Sequence, residues 1–186
     1  PYFFVDGAKH SFLPSGGNCQ GGANCVVSST PIQDALNAVT GGLAPDGATI
    51  YIEGGEFGEF VQLNNFTGEL TLQGGANGSA TVLTGGVGLS NLNGNVQLRG
   101  LDFEAGVSAI NTTGLTIAES DFSAGLVVLN SKAVTLQDCH HNAGVVISGS
   151  SHVDVRDGTF NAGVIVSGSQ DVSLTNTQVN AALVVV

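Results

Sequence analysis

The sequence predicts an all-β fold, a parallel β-helix (a β-solenoid of ~19-residue coils) with a short N-terminal capping α-helix. Three observations predict it. From Asn95 to Val186 the chain aligns with itself every nineteen residues without a gap: NVQLRGLDFEAGVSAINTT, GLTIAESDFSAGLVVLNSK, AVTLQDCHHNAGVVISGSS, HVDVRDGTFNAGVIVSGSQ and DVSLTNTQVNAALVVV. A fixed period of this size marks a solenoid, in which no unit buries its apolar face alone. Within each unit the apolar residues alternate at spacing two, as in Val134-Thr135-Leu136 and Val145-Val146-Ile147, which is strand spacing. One segment alone, near residue 31, carries helix signals. No hairpin turn separates the units, so the strands stack in parallel with like residues over like, each coil about 4.8 Å above the last. Leucine-rich repeats are set aside, since neither their Leu-x-x-Leu-x-Leu pattern nor a helical segment per unit is present.

Taken in order, Tyr2–Val5 reads as a short apolar strand ended by the turn dipeptide Asp6-Gly7. A polar, Gly-rich loop runs from Ala8 to Ser29. It contains CQGGANC, and a disulfide between Cys19 and Cys25 is the expected reading. A metal pair is the competing account, but no further Cys or His lies nearby at ligand spacing. Thr30 is placed as N-cap with Pro31 at the first helical position and Asp34 in the first turn. Ile32, Ala35, Leu36 and Val39 make one apolar face, and Gly41-Gly42 stops the helix. The end of a β-helix is an open sheet edge over an exposed core, and this helix is the expected cover. Residues 1–47 are thus the cap and residues 48–186 the coils of one domain.

The coils open with Ile50 and Ile52, followed by Phe57, Val61 and Leu63 at inward positions. Leu70 and Leu72 repeat the first strand after twenty residues, and Val96 and Leu98 after a further twenty-six, so GGANGSATVLTGGVGLSNLNG holds a loop or bulge. From Asn95 the columns are pure. One reads Val96, Leu115, Val134, Val153, Val172, and another Phe103, Phe122, His141, Phe160, Val179. His141 is therefore expected inside or at a corner and His140 outside. Cys139, in the column of Ser120 and Gly158, is expected to be a lone packed thiol. Asn142, Asn161 and Asn180 form an Asn ladder, a hydrogen-bonding device of solenoid turns. Asn65, Asn77 and Asn111 head short glycosylation sequons.

The 186 residues carry fifteen acidic against four basic side chains, a formal charge of −11. That balance argues against nucleic acid and anionic membrane surfaces as partners. No apolar run reaches membrane length and no signal peptide is recognisable. The chain contains no Met and begins at Pro1, as a processed product or a piece of one would. With the disulfide, these features point to an extracellular or cell-surface location.

The succession of FFVDG, a loop, the helix PIQDALNAV and then ATIYIEGGEFGEFVQLNNFTGELTLQGG resembles the start of pectin-lyase-like right-handed parallel β-helix proteins. That superfamily includes pectinesterases, polysaccharide lyases and large bacterial surface proteins of the adhesin type. The resemblance rests most on TIYIEGGEFGEFVQL and covers about the first third of the chain. It implies the right hand of the helix, and it implies little about activity, because this scaffold carries many functions.

LQDCHHNAGVVISG, around Gln137 and Asp138, resembles the Asp-Cys segment of pectinesterases. Where that family places its second Asp this chain has Val145-Val146-Ile147, and it has no Trp for the family's Arg-Pro-Trp motif. One carboxylate cannot act as both nucleophile and acid/base, so no catalytic residue is assigned. Pectate lyases pair Ca²⁺-binding carboxylates with a basic residue. The nearest equivalent here is the carboxylate column Glu119, Asp138, Asp157 beside Arg99 and Arg156, which share a column. Stacked like charges repel, and Ca²⁺ is the cation such a column would accept. The competing reading is a solvated acidic turn. No cofactor is otherwise required.

Two features bear on assembly. The outward column Ser108, Val127, Val146, Ile165, Val184 is apolar where a soluble solenoid should be polar. The last coil stops on a strand, with Leu183, Val184, Val185 and Val186 untreated by any gatekeeper. The expected partner of this edge is the Tyr2, Phe3, Phe4, Val5 end of a second copy. The expected function is a non-catalytic, secreted structural protein assembling head-to-tail into a filament or surface appendage. The alternatives are a carbohydrate-binding or polysaccharide-processing β-helix with an extracellular polysaccharide as partner, and an adhesin stalk whose coils continue past Val186.

Overall fold

A computed structural model of the chain describes residues 2–5, 8–43 and 46–186; the expected Asp6-Gly7 turn lies outside them. The described residues form a parallel β-solenoid built from three sheets of ten, seven and seven strands. Each coil contributes one strand to each sheet. In the coil from Asn93 these are Asn93–Arg99, Leu101–Phe103 and Val107–Ile110.

From Asn95 on, the pairing register reproduces the sequence columns; in the first coil Ile50 pairs with Leu72 and Ala48 with Leu70, two residues off the expected match of Ile50 with Leu70. Val96 pairs with Leu115, which continues through Val134 and Val153 to Val172. Phe103 continues likewise through Phe122, His141 and Phe160 to Val179. Inward residues of all three sheets fill one continuous core, where Val96, Leu115, Ile117, Phe122, Leu126 and Val134 are fully buried. The extra residues of the long repeat lie between Thr67–Gln73 and Thr81–Leu83; in the next coil the same two strands are separated by Gly100 alone. Asn77 ties this loop down, its Oδ1 accepting the N–H groups of Gly54 (2.9 Å) and Ser79 (3.2 Å).

The turns between sheets use left-handed backbone at fixed positions. One column runs Asn65, Asn91, Asn111, Asn130, Gly149, Gly168, all at positive φ. A second begins at Gly100 (φ 62°) and continues through Glu119, Asp138, Asp157 and Asn176 (φ 53°, 51°, 56°, 49°). Asn, Asp and Gly tolerate this conformation best, which accounts for every residue type in the two columns except Glu119.

The N-terminal end is closed in two ways. Strand β1 (Tyr2–Val5) pairs antiparallel with β4 (Ala48–Tyr51) on one side and with β2 (Ala8–Pro14) on the other. Strand β3 (Cys25–Ser28) pairs in parallel with β2 and ends the sheet. Helix α1 (Pro31–Ala38) then lays Ile32, Ala35 and Leu36 onto the first coils, fully buried, followed by Val39.

The N-cap differs from expectation. Thr30 makes no side-chain cap bond. The first free N–H groups are instead taken by the Glu59 carboxylate, from Ile32 to Oε1 at 2.9 Å and from Gln33 to Oε2 at 2.8 Å. Ser28 Oγ accepts the Thr30 N–H and donates to Asp34.

Candidate functional site

The residues that carry chemistry in the sequence are dispersed over the surface. Glu119, Asp138 and Asp157 stand one coil apart on the left-handed turn column, and all three are exposed. Arg99 Nη2 donates to Glu119 Oε1 at 2.5 Å, Arg156 Nη2 donates to Gln137 Oε1 at 2.9 Å, and Asn176 Nδ2 donates to Asp157 Oδ1 at 3.2 Å. Among the described residues no group of three or more His, Cys, Asp and Glu side chains is placed to hold a metal ion. All three stand at positive φ, and the contacts above engage Glu119 and Asp157. Both arginines offered as a base partner are engaged in these contacts.

Cys19 and Cys25 form a disulfide, with Cα atoms 5.6 Å apart. A hollow of about 470 Å³ opens between its loop and Lys9, Ser11 and Leu13 of β2; no carboxylate or imidazole lines it. Cys139 is a buried free thiol, as expected, with Sγ 3.2 Å from Gln137 O. Burial pushes its pKa up to about 11, so it stays protonated.

His141 lies in the core, as its column predicts. Its ring stacks on Phe122 (centroids 4.2 Å apart) and Phe160 (4.5 Å), continuing the Phe103–Phe122 stack. Both ring nitrogens are buried without a hydrogen-bond partner. Burial, reinforced by the neighbouring His140, lowers its pKa to about 4. His140 stands outside, with Nδ1 3.2 Å from Asp121 Oδ1. Asp102, one coil below Asp121, has its pKa raised by burial and then by Asp121 and Glu104.

Two buried polar devices were missed in the sequence. Thr112, Ser131, Ser150 and Ser169 form an internal ladder. The backbone N–H of each of the first three donates to the hydroxyl above, at 3.1 Å in every case. The recurrence of Ser131, Ser150 and Ser169 at nineteen-residue spacing is the signal that reveals it. Glu59 is the other; its signal is a carboxylate in phase with inward Phe57, Val61 and Leu63. Burial raises its pKa, while the Gln33 and Ile32 N–H groups act the other way. The expected Asn ladder is present, Asn180 to Asn161 at 2.7 Å and Asn161 to Asn142 at 2.9 Å.

The assembly residues divide into three places. Tyr2–Val5 is an internal strand with neighbours on both sides, so it offers no free edge; the N-terminal edge of that sheet is β3. Val127, Val146 and Ile165 lie in line on the outer face of the third sheet. Leu183, Val184, Val185 and Val186 form the far end. Leu183 is 47% and Val185 69% exposed, whereas Val164 and Val166 directly beneath are 2% and 4% exposed.

Comparison of the chain with family models, with curated proteins and with solved structures finds no match. The fold and its surfaces define the class: a helix-capped parallel β-solenoid. Among the described residues no helix is long and apolar enough to cross a membrane.

Proposed function

We propose that this chain is a non-catalytic extracellular structural protein, a rigid solenoid unit that extends head-to-tail from its C-terminal end face. The observation that carries the reading is the contrast between the two ends. The N-terminal core is covered by α1, while the last coil presents the unfilled core columns Val172, Leu174, Val179, Leu183 and Val185. Open strand edges over exposed core residues recruit a further strand.

The direction of β3 supports assembly between copies. Two antiparallel pairings, β4 with β1 and β1 with β2, return the chain to the direction of the coils, and β3 runs parallel to β2. The free edge of one copy therefore runs in the same sense as Gln170–Thr175, the last strand of the same sheet. Val26 and Val27 are exposed on it. The disulfide favours an oxidising, extracellular setting. The dispersed carboxylates and engaged arginines favour a structural role over polysaccharide cleavage. A second reading, extension by further coils of a longer chain, is favoured by Gln33 and Asn37 on α1, since polar groups match an apolar end face poorly.

Negative-stain electron microscopy of the 186-residue chain at neutral pH tests the proposal. Fibres of uniform width, lost in Val185→Glu, are expected. Discrete particles at high concentration overturn head-to-tail assembly and leave extension by further coils.

A further inference from the structure

We propose that the outer face of the third sheet is a lateral docking surface for a second copy of this chain. This face is separate from the end face, and pairing through it does not depend on extension.

The first observation is where the charge lies. Residues 58–66, 84–92, 104–112, 123–131, 142–150, 161–169 and 180–186 build the seven strands of this sheet and their flanking turns. Of the nineteen Asp, Glu, Lys and Arg residues in the chain, these stretches contain only Glu59 and Glu104. Glu59 is buried beneath α1, which leaves Glu104 at one margin. Two bodies of charge −11 repel at most orientations. On this face they meet without burying a row of carboxylates, each of which would cost several kcal/mol in desolvation.

The second observation is an apolar stripe. Val127 and Val146 stand half-buried on the outer face, while Ile110, Ile165 and Val184 are exposed. Toward the N-terminal end the same column reaches Gly88, which has no side chain. There Phe60, 56% exposed, lies across the gap, with Cζ 3.0 Å from where a Gly88 Cβ would stand. The stripe itself spans the last four coils, Val127 to Val184; Gln62 and Ser108 occupy the same column in earlier coils, where Phe60 and Ile110 add apolar surface beside it.

The third observation is size. The strands pair in unbroken register from Val61–Asn64 to Leu183–Val185. Seven strands at about 4.8 Å, each about 20 Å wide with its turns, give roughly 600 Å² per copy. Two copies bury roughly 1,200 Å², the lower bound of specific interfaces. A face-to-face pair of sheets about 10 Å apart is two-fold symmetric and closes at a dimer, unlike end-to-end growth.

Analytical ultracentrifugation of the 186-residue chain over a concentration series, at about 0.05 M and about 0.5 M NaCl, tests this. With end-to-end growth blocked by Val185→Glu, a reversible dimer is expected, tighter at the higher salt because screening weakens the repulsion of the two bodies. Val146→Glu should raise the dissociation constant about tenfold or more, by burying an unpaired charge. Val146→Ser reproduces the Ser108 of the same column. It should weaken the dimer while melting like the wild type, so a folding defect cannot account for the effect. Val185→Glu, at the end face, should leave the dimer intact. A monomer at high salt and high concentration overturns the proposal. So does a dimer indifferent to both Val146 substitutions, or one lost through Val185→Glu alone.

Discussion

Replacing His141 by Phe should stabilise the solenoid, and more at pH 5 than at pH 7. The imidazole is held between Phe122 and Phe160 with both nitrogens unpartnered. Each buried, unsatisfied polar atom costs on the order of 1 kcal/mol. Phe completes the stack begun by Phe103 and Phe122, whose centroids already accommodate two phenyl rings at 4.7 Å. We expect a gain of about 1 kcal/mol at pH 7, after allowing for the tighter 4.2 Å spacing at His141.

The pH term adds to this. His141 has a folded pKa of about 4 against an ordinary 6.5. Above the unfolded value both states are neutral and its stability is fully present. As pH falls through that value the unfolded chain takes up a proton that the folded core refuses, and stability is lost down to the folded value. The whole window is worth about 3 kcal/mol, and about 2 kcal/mol has gone by pH 5.

Glu59 and Asp102, both raised by burial, act in the opposite sense. They contribute stability at low pH that is lost as pH rises through their folded values. The difference between wild type and variant isolates the histidine. Urea unfolding at pH 7 and pH 5 should therefore give His141→Phe an advantage of about 1 and about 3 kcal/mol, respectively. An advantage that does not grow between the two pH values would refute the account of a neutral, desolvated imidazole. A variant less stable than wild type at pH 7 would refute the account of the stack.

Two further substitutions test the local arguments. Glu59→Gln keeps one acceptor for the two N–H groups at the start of α1 and sets an amide against the other, so it should cost about 1–2 kcal/mol in urea unfolding. Hydrogen exchange should then accelerate in the N-terminal cap before the C-terminal coils. Ala133 sits at φ 53° in the turn position that Gly114 fills one coil below, and Ala133→Gly should raise stability by about 0.5–1 kcal/mol. Here a lower melting temperature is the refuting result.

The periodicity made much of the interior legible. A strict nineteen-residue repeat with alternating apolar residues leaves one way to stack, so the strand register and the burial of His141 follow from alignment. The Cys19–Cys25 disulfide was equally readable from its short loop. Glu59 was harder, because the groups it satisfies lie more than twenty residues away, and local rules pointed to Thr30. The setting of the carboxylate column was hidden for a related reason. Sequence shows that Glu119, Asp138 and Asp157 recur, but the positive φ that selects them is visible only in the folded turn.

By itself, then, the sequence determined what repetition determines: the solenoid, its columns, its inward phase and its apolar outward stripe. Each of these depends on neighbours one coil away, and the period encodes that distance. The tertiary structure decided how the repetition stops. Tyr2–Val5, expected as a free edge, is enclosed between β2 and β4, and the true edge is β3. Folding β1 back against the coils satisfies backbone groups that the first coil would otherwise leave open. That pairing joins segments with no repeat between them, so no period announces it.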